Sequence, residues 1–310
     1  MFKKAMTYAV SAGILGLCAT HGAYAAEYYT PMQPGASTGA PAGALPPPGA
    51  YANVDTYFLT GRVKNGNGQD ITGVKLNGAN ITGQILYVPG WQFLGASYAM
   101  RLTQAFNLNT IKTSAGVGPN SITGYGMFNP IITPEMLSWS LGGGNFIGEG
   151  LSVYLPTGDY RDSNGAETQD SIANKYWTFE PNIAYSYLAS GWNFTLNNTF
   201  DFNTKNTSTD YQTGDIYYLD YTIAHSFGKM TFGLIGNYVQ QFTADKKNGA
   251  EVENVGGDGY GNEYMHASIG SLFAYNLGAA TVTFRYLYGF AGKNGGNPSF
   301  FHFGVSFPIS

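Results

Sequence analysis

A single cysteine, Cys18, stands in the 310 residues, and it falls in the apolar stretch that opens the chain. The remainder can form no disulfide and offers no thiolate, so an exported protein of this composition must be stabilised by other means. Charge is scarce as well: Asp, Glu, Lys and Arg make up 11% of the chain, with a formal net charge of −4. So few basic residues leave no clustered footprint for nucleic acid. Beyond the N-terminus no run is apolar for long enough to make a membrane-crossing helix. What is abundant is glycine (43), tyrosine (24) and phenylalanine (20), a composition suited to a β-barrel with aromatic girdles.

Lys3 and Lys4 precede the short apolar stretch, and Ala23-Tyr24-Ala25 has the small-residue pattern of a cleavage site. Residues 1–25 therefore read as a secretory signal peptide. The bulky Leu17 ahead of Cys18 argues against a lipoprotein signal. Cleavage after Ala25 removes two lysines and no acid, which takes the net charge to −6. The following tract, PMQPGASTGAPAGALPPPGA at residues 31–50, has no periodicity and little to bury. Residues 26–51 are predicted to be a disordered, polyproline-like periplasmic tail.

From residue 52 to the C-terminus the pattern changes to strands. Twelve are predicted, at 52–62, 79–88, 92–105, 123–140, 145–156, 173–188, 191–204, 213–226, 230–242, 262–276, 279–290 and 299–308. The even-numbered connections are short, as in LGGG, ASG and FGK, and the odd-numbered ones long and rich in Gly, Asn, Asp and Lys. Alternation of that kind puts every long loop at one end. It predicts a closed antiparallel up-and-down transmembrane β-barrel of the outer-membrane type over 52–310, with short periplasmic turns. Greek-key connections of a secreted sandwich would not alternate so regularly.

The faces agree. In GWNFTLNNTFDFN, Trp192, Phe194, Leu196, Phe200 and Phe202 oppose Asn193, Thr195, Asn197, Thr199 and Asp201, a period of two. Trp177, Phe179, Ile183, Tyr185 and Tyr187 oppose Thr178, Glu180, Asn182 and Ser186 in the same way. The aromatic faces are assigned to lipid and the polar faces to a lumen. The faces of 52–62 and 123–140 are left unassigned. The last strand carries Phe301, Phe303, Val305 and Phe307 on one face, like the closing strand that outer-membrane assembly machinery reads, with Pro308, Ile309 and Ser310 following.

The segments LPTGDYR (155–161), NKYWTFEPNIAYSY (174–187), GW (191–192), FDFNTKNTSTDYQTGD (200–215) and QQFTAD (240–245) occur in that order. Together they resemble the family named for the meta-pathway of phenol degradation. The likeness runs from about Gly95 to Phe307 and is densest over 146–245. It implies an outer-membrane barrel that passes aromatic or other hydrophobic compounds, and it carries over no catalytic or ligand residue.

Candidate functional residues are the inward polar ones: Arg101, Glu180, Asp201, Asp220, Arg285, His266 and Tyr218. They form either a constriction that selects solutes or a set of lumen ion pairs that fills a narrow barrel. No metal site or cofactor is predicted: the histidines His225, His266 and His302 lack ligand spacing such as HExxH. Nor is an enzyme. His225 and Ser226 are adjacent on a strand and point to opposite faces. The acids Asp245, Glu251, Glu253, Asp258 and Glu263 in loop 243–263 read as a solvated loop rather than a cation site. The expected function is passive uptake of small molecules across the outer membrane of a Gram-negative cell. Its partners are the bilayer, the solute and the assembly machinery. The alternative is a non-transporting surface protein whose loops bind a partner.

Overall fold

The computed structural model describes residues 30–114, 120–164, 166–252 and 262–309. The expected signal peptide lies outside them. Twelve long antiparallel strands follow one another: β1 (Gly49–Lys64), β2 (Asp70–Val88), β3 (Ala96–Thr113), β4 (Ile131–Gly142), β5 (Asn145–Tyr154) and β6 (Thr178–Ala189). The second half comprises β7 (Trp192–Asn203), β8 (Ile216–Phe227), β9 (Met230–Gln241), β10 (Met265–Asn276), β11 (Thr281–Lys293) and β12 (Gly295–Pro308). Each pairs with its neighbours in sequence, and β1 also pairs with β12 from Tyr51↔Pro308 to Lys64↔Gly295. The sheet is therefore a closed twelve-stranded barrel without edges, as the hydrocarbon interior requires of backbone hydrogen bonds. Among the described residues there is no helix.

Alternation fixes the two surfaces. Phe179, Ile183, Phe194, Leu196, Ile223, Leu234, Phe284 and Phe303 are exposed on the outside. Thr178, Glu180, Thr195, Thr199, Asp201, Asp220, Thr222, Arg285 and His302 are buried on the inside. The two strands left unassigned resolve for different reasons. In β1 the inward residues include Tyr57 and Leu59, packed with the inner core, while Val54 and Phe58 face out, so polarity does not separate its faces. In β4 the register slips at Ile132/Glu135, around Pro134, and a bulge shifts the parity of everything after it.

Other expectations need correction. The first and eleventh connections are not long loops. β1 and β2 extend to a hairpin over residues 65–69, and only Asn294 separates β11 from β12. The predicted loop sequence KNGNGQDITGVKLNG contains Ile71, Val74 and Leu76 at strand positions, and cross-strand pairing overrides its loop-like composition. Strands of 16, 19 and 18 residues in β1, β2 and β3 exceed the roughly 9–11 needed to cross a bilayer, so this side of the barrel rises above the rest. The stretch 123–140 is split. Residues Ser121–Met127 pair with the upper part of β3, and β4 starts only at Ile131.

The largest departure concerns the proline-rich tract. Residues 30–48 are not a disordered tail. They run inside the barrel from the level of Ile216 and Tyr218, where Met32 packs, to the short-turn end, where the chain enters β1 at Gly49.

The outer belt yields a test. Leu196 faces outward near the middle of β7, opposite Tyr185 and Tyr221. Leu196→Arg is expected to cost about 2–4 kcal/mol in urea unfolding from liposomes. An unchanged midpoint would place this face against protein or water instead of lipid.

Candidate functional site

The lumen is built from two unlike walls, and the N-terminal segment lies between them. A Pro/Gly/Ala chain makes no ladder of its own, so its backbone donors and acceptors need partners wherever it is buried. The inward residues of β4 to β8 and of β11 supply them. Ser37 donates its backbone N–H (2.8 Å) and its hydroxyl (2.7 Å) to the Asp220 carboxylate, while the Asn197 amide donates to the Ser37 hydroxyl at 3.0 Å. The Gly39 N–H donates to Thr222 Oγ1 at 2.7 Å. Lower down, the Gly43 N–H donates to Ser186 Oγ at 2.9 Å, and the Ser138 hydroxyl donates back to the Gly43 carbonyl at 2.9 Å. A Cβ on Gly43 would stand 2.8 Å from the backbone nitrogen of Ser186, so the approach requires glycine.

Arg285 ties the segment to the wall and to the closing seam. Nη1 donates to the Thr38 carbonyl at 2.8 Å and the Ala36 carbonyl at 3.3 Å. Nη2 donates to Asp55 Oδ2 on β1 at 2.5 Å. His302 Nδ1 of β12 lies 3.1 Å from both Arg285 Nη2 and Asp55 Oδ2, and its Nε2 is 3.4 Å from the Gln33 amide. The two strands of the seam and the adjoining β11 thus share one largely enclosed charge cluster with the segment.

The second wall is apolar. Ala224, Ile235, Leu272, Leu287 and Phe300 form a buried inner patch, with Tyr57 and Leu59 against it. The segment covers it with glycine: the Cβ position of Gly35 lies 2.5 Å from Leu287 Cδ1, and that of Gly39 lies 3.3 Å from Leu272 Cδ1. Both glycines have positive φ, +78° and +87°.

All seven residues expected to line the lumen lie on inward positions, but they do not converge on one constriction. Glu180, Asp201 and Tyr218 form one cluster: Tyr154 donates to Glu180 at 2.6 Å and Tyr218 to Asp201 at 2.9 Å. Arg101 is within electrostatic reach of Glu180. Asp220 and Arg285 hold the segment. His266 stands apart, 2.9 Å from Asn297 and edge-on to Phe300. Asp55, Tyr154, Thr222, Ser186 and Ser138 were not among the candidate functional residues. Asp55 sat in a strand whose faces composition could not separate. The serines and threonines acquire a role only from the segment they bind. His225 faces outward, edge-on to Trp192, and Ser226 bonds to Thr231 at 2.8 Å.

The long connections are pinned by two aspartates. Asp245 is buried and accepts from Tyr211 Oη (2.6 Å), the Gly214 N–H (2.7 Å), Gln241 Nε2 (2.7 Å) and Asn262 Nδ2 (3.4 Å). It joins the β7–β8 and β9–β10 connections, and is not the solvated acid predicted. Glu253 and Asp258 of that loop lie outside the described residues. Asp159 likewise accepts from the Met127 N–H at 2.6 Å. In the same loop the Thr168 hydroxyl and the Arg161 guanidinium hold the Asp170 carboxyl below its usual range. Among the described residues no group of three His, Cys, Asp or Glu is placed to hold a metal.

One protein family, described as "Putative MetA-pathway of phenol degradation", matches residues 60–301. No curated protein matches. Among solved structures, an outer membrane channel from Pseudomonas putida F1 is 13% identical, covers 89% of this chain and 99% of its own, and superposes with a TM-score of 0.70. The translocator domain of the autotransporter NalP from Neisseria meningitidis is 10% identical over 84% of this chain and 88% of its own, with a TM-score of 0.49. The first of these likenesses carries the barrel fold.

Two substitutions test the geometry. Arg285→Ala leaves the half-buried Asp55 without its cation and is expected to cost roughly 1–3 kcal/mol, with residues 30–48 becoming open to protease. Unaltered protection would mean that the carbonyl contacts of Arg285 do not hold the segment. Asp245→Ala is expected to speed cleavage within 204–215 and 242–252 while the barrel still migrates as a folded species in an unheated gel.

Proposed function

The chain belongs to the phenol-degradation MetA-pathway family, and on that premise we propose that it is an outer-membrane channel for passive uptake of small hydrophobic or aromatic compounds, gated by its own N-terminal segment. The observation that carries this reading is the pairing of two inner walls beneath residues 30–48. One is a line of hydroxyls and carboxylates and the other an apolar patch around Leu272, Leu287 and Phe300. A purely aqueous pore has no use for the apolar patch, and the polar line, which binds the segment while it is seated, is freed for a solute when the segment leaves. Displacement of the segment exposes a passage with one oily side, on which an aromatic ring can slide while its polar substituent meets Asp220, Thr222 or Ser186.

In this reading the protein sits in the outer membrane of a Gram-negative cell with its short turns in the periplasm. Phe301, Phe303, Val305 and Phe307 of β12 face outward and present the strand to the assembly machinery. Solute moves down its gradient, because no nucleotide-binding loop occurs in the sequence to couple energy. The extensive pinning of the long loops by Asp245 and Asp159 favours a second reading, a surface protein whose rigid loops bind a partner and whose lumen never opens.

The two are separable because the chain after Ala25 has no cysteine of its own. Ser37→Cys with Asp220→Cys replaces a direct side-chain contact by a disulfide that locks the segment. Uptake of phenols, aromatic acids and alkanes into liposomes is expected to fall to that of empty vesicles on oxidation and to recover with reductant. Equal uptake in both states removes the gating role. No uptake in any state leaves the surface-protein reading.

A further inference from the structure

The extended wall of β1, β2 and β3, with the adjoining strand Ser121–Met127, changes character in ordered steps along its outer face. The residues paired across these strands form rows. The lowest is Phe58, Ala79, Leu108 and Tyr125, of which Phe58, Leu108 and Tyr125 are large and exposed. Two residues further up, the row is Thr60, Asn77, Thr110 and Thr123, neutral and polar. Two residues further again it is Arg62, Lys75, Lys112 and Ser121.

Rows two residues apart are about 6.7 Å apart along a strand. A barrel tilt of 35–45° reduces this to about 5 Å of height. The cations therefore stand about 10 Å above the last aromatic row, at the outer edge of the headgroup layer, which adds roughly 5–8 Å to each side of the hydrocarbon. Three cations opposite one another on neighbouring strands repel. Asp70 relieves one end of the row, pairing with Arg62 at 3.0 Å and Lys64 at 2.5 Å. Lys75 and Lys112 form no ion pair among the described residues. Beside them a surface cavity of about 370 Å³ is lined by Arg62, Lys75 and Lys112 with Ile71, Val74 and Thr113. With Ser114 also in the lining, it has three cations, two hydroxyls and two apolar side chains, and no acid.

We propose that this row is a binding site for the phosphate groups of an outer-leaflet glycolipid, with Lys75 and Lys112 as its principal cations and the apolar edge of the cavity against the sugar–acyl boundary. The site rests on the long-loop end facing the cell exterior, and not on what passes through the lumen. A phosphorylated glycolipid is favoured over a free anion because the cations crown a continuous gradient from hydrocarbon to headgroup on the lipid face. Bound there, it brackets the tall side of the barrel and offsets the repulsion within the row.

The test uses the full chain in nanodiscs of phosphatidylcholine doped with a bisphosphorylated lipid A or with the same lipid enzymatically dephosphorylated, followed by native mass spectrometry. The wild type is expected to retain the bisphosphorylated lipid and not the dephosphorylated one. Lys75→Gln with Lys112→Gln is expected to lower retention about tenfold or more, Lys75→Arg with Lys112→Arg to preserve it, and Lys229→Gln, at a short turn, to change nothing. Heat-dependent gel migration reports that each variant is folded. Equal retention by the glutamine variant, or of the dephosphorylated lipid, overturns the proposal. So does displacement of the glycolipid by millimolar inorganic phosphate, which would make the row a site for free anions.

Discussion

Everything in this molecule follows from the impossibility of leaving a peptide group unpaired in hydrocarbon. A sheet that must satisfy its own edges has to close, and the seam between β1 and β12 does so from Tyr51↔Pro308 to Lys64↔Gly295. Closure leaves two surfaces of opposite character, one facing acyl chains and one enclosed. The enclosed one inherits the same demand in milder form: its carboxylates, hydroxyls and amides need partners too. Asp55, Arg285 and His302 meet it at the seam itself, and the N-terminal segment meets much of the remainder. The plug and the barrel are thus two answers to one hydrogen-bonding requirement.

At the rim the requirement is local. The loops that leave the membrane gain their shape from two carboxylates, the buried Asp245 and the exposed Asp159, each accepting backbone or side-chain donors from a neighbouring connection. Both fall inside segments that carry the family likeness, LPTGDYR and QQFTAD. Those motifs are therefore joints that tie the long connections to one another.

The barrel was legible in the chain because alternation is a local signal: Trp192 to Phe202 against Asn193 to Asp201 assigns its own faces without reference to any other strand. Strand number and the inward placement of Glu180, Asp201, Tyr218, Asp220, His266 and Arg285 followed from it. What depended on partners was not legible. Ile71, Val74 and Leu76 looked like loop until β1 and β3 paired with them. Pro134 hid a bulge that reversed the parity of β4. The tract at 31–50 carried no periodicity, and its composition matched a solvated tail. Only the inner wall, assembled from strands up to about 250 residues away, makes Ser37, Gly39 and Gly43 specific.

The segment is covalently joined to β1 at Gly49, on the periplasmic side of the barrel in the reading proposed. It therefore behaves as an intramolecular ligand with a leash of fewer than twenty residues. For such a ligand the effective local concentration is of millimolar order, so individually modest contacts suffice to keep it seated. In the gating reading proposed, departure leaves it hanging at the mouth, from where return is fast and requires no second molecule. Whatever loosens it acts on an equilibrium that resets itself.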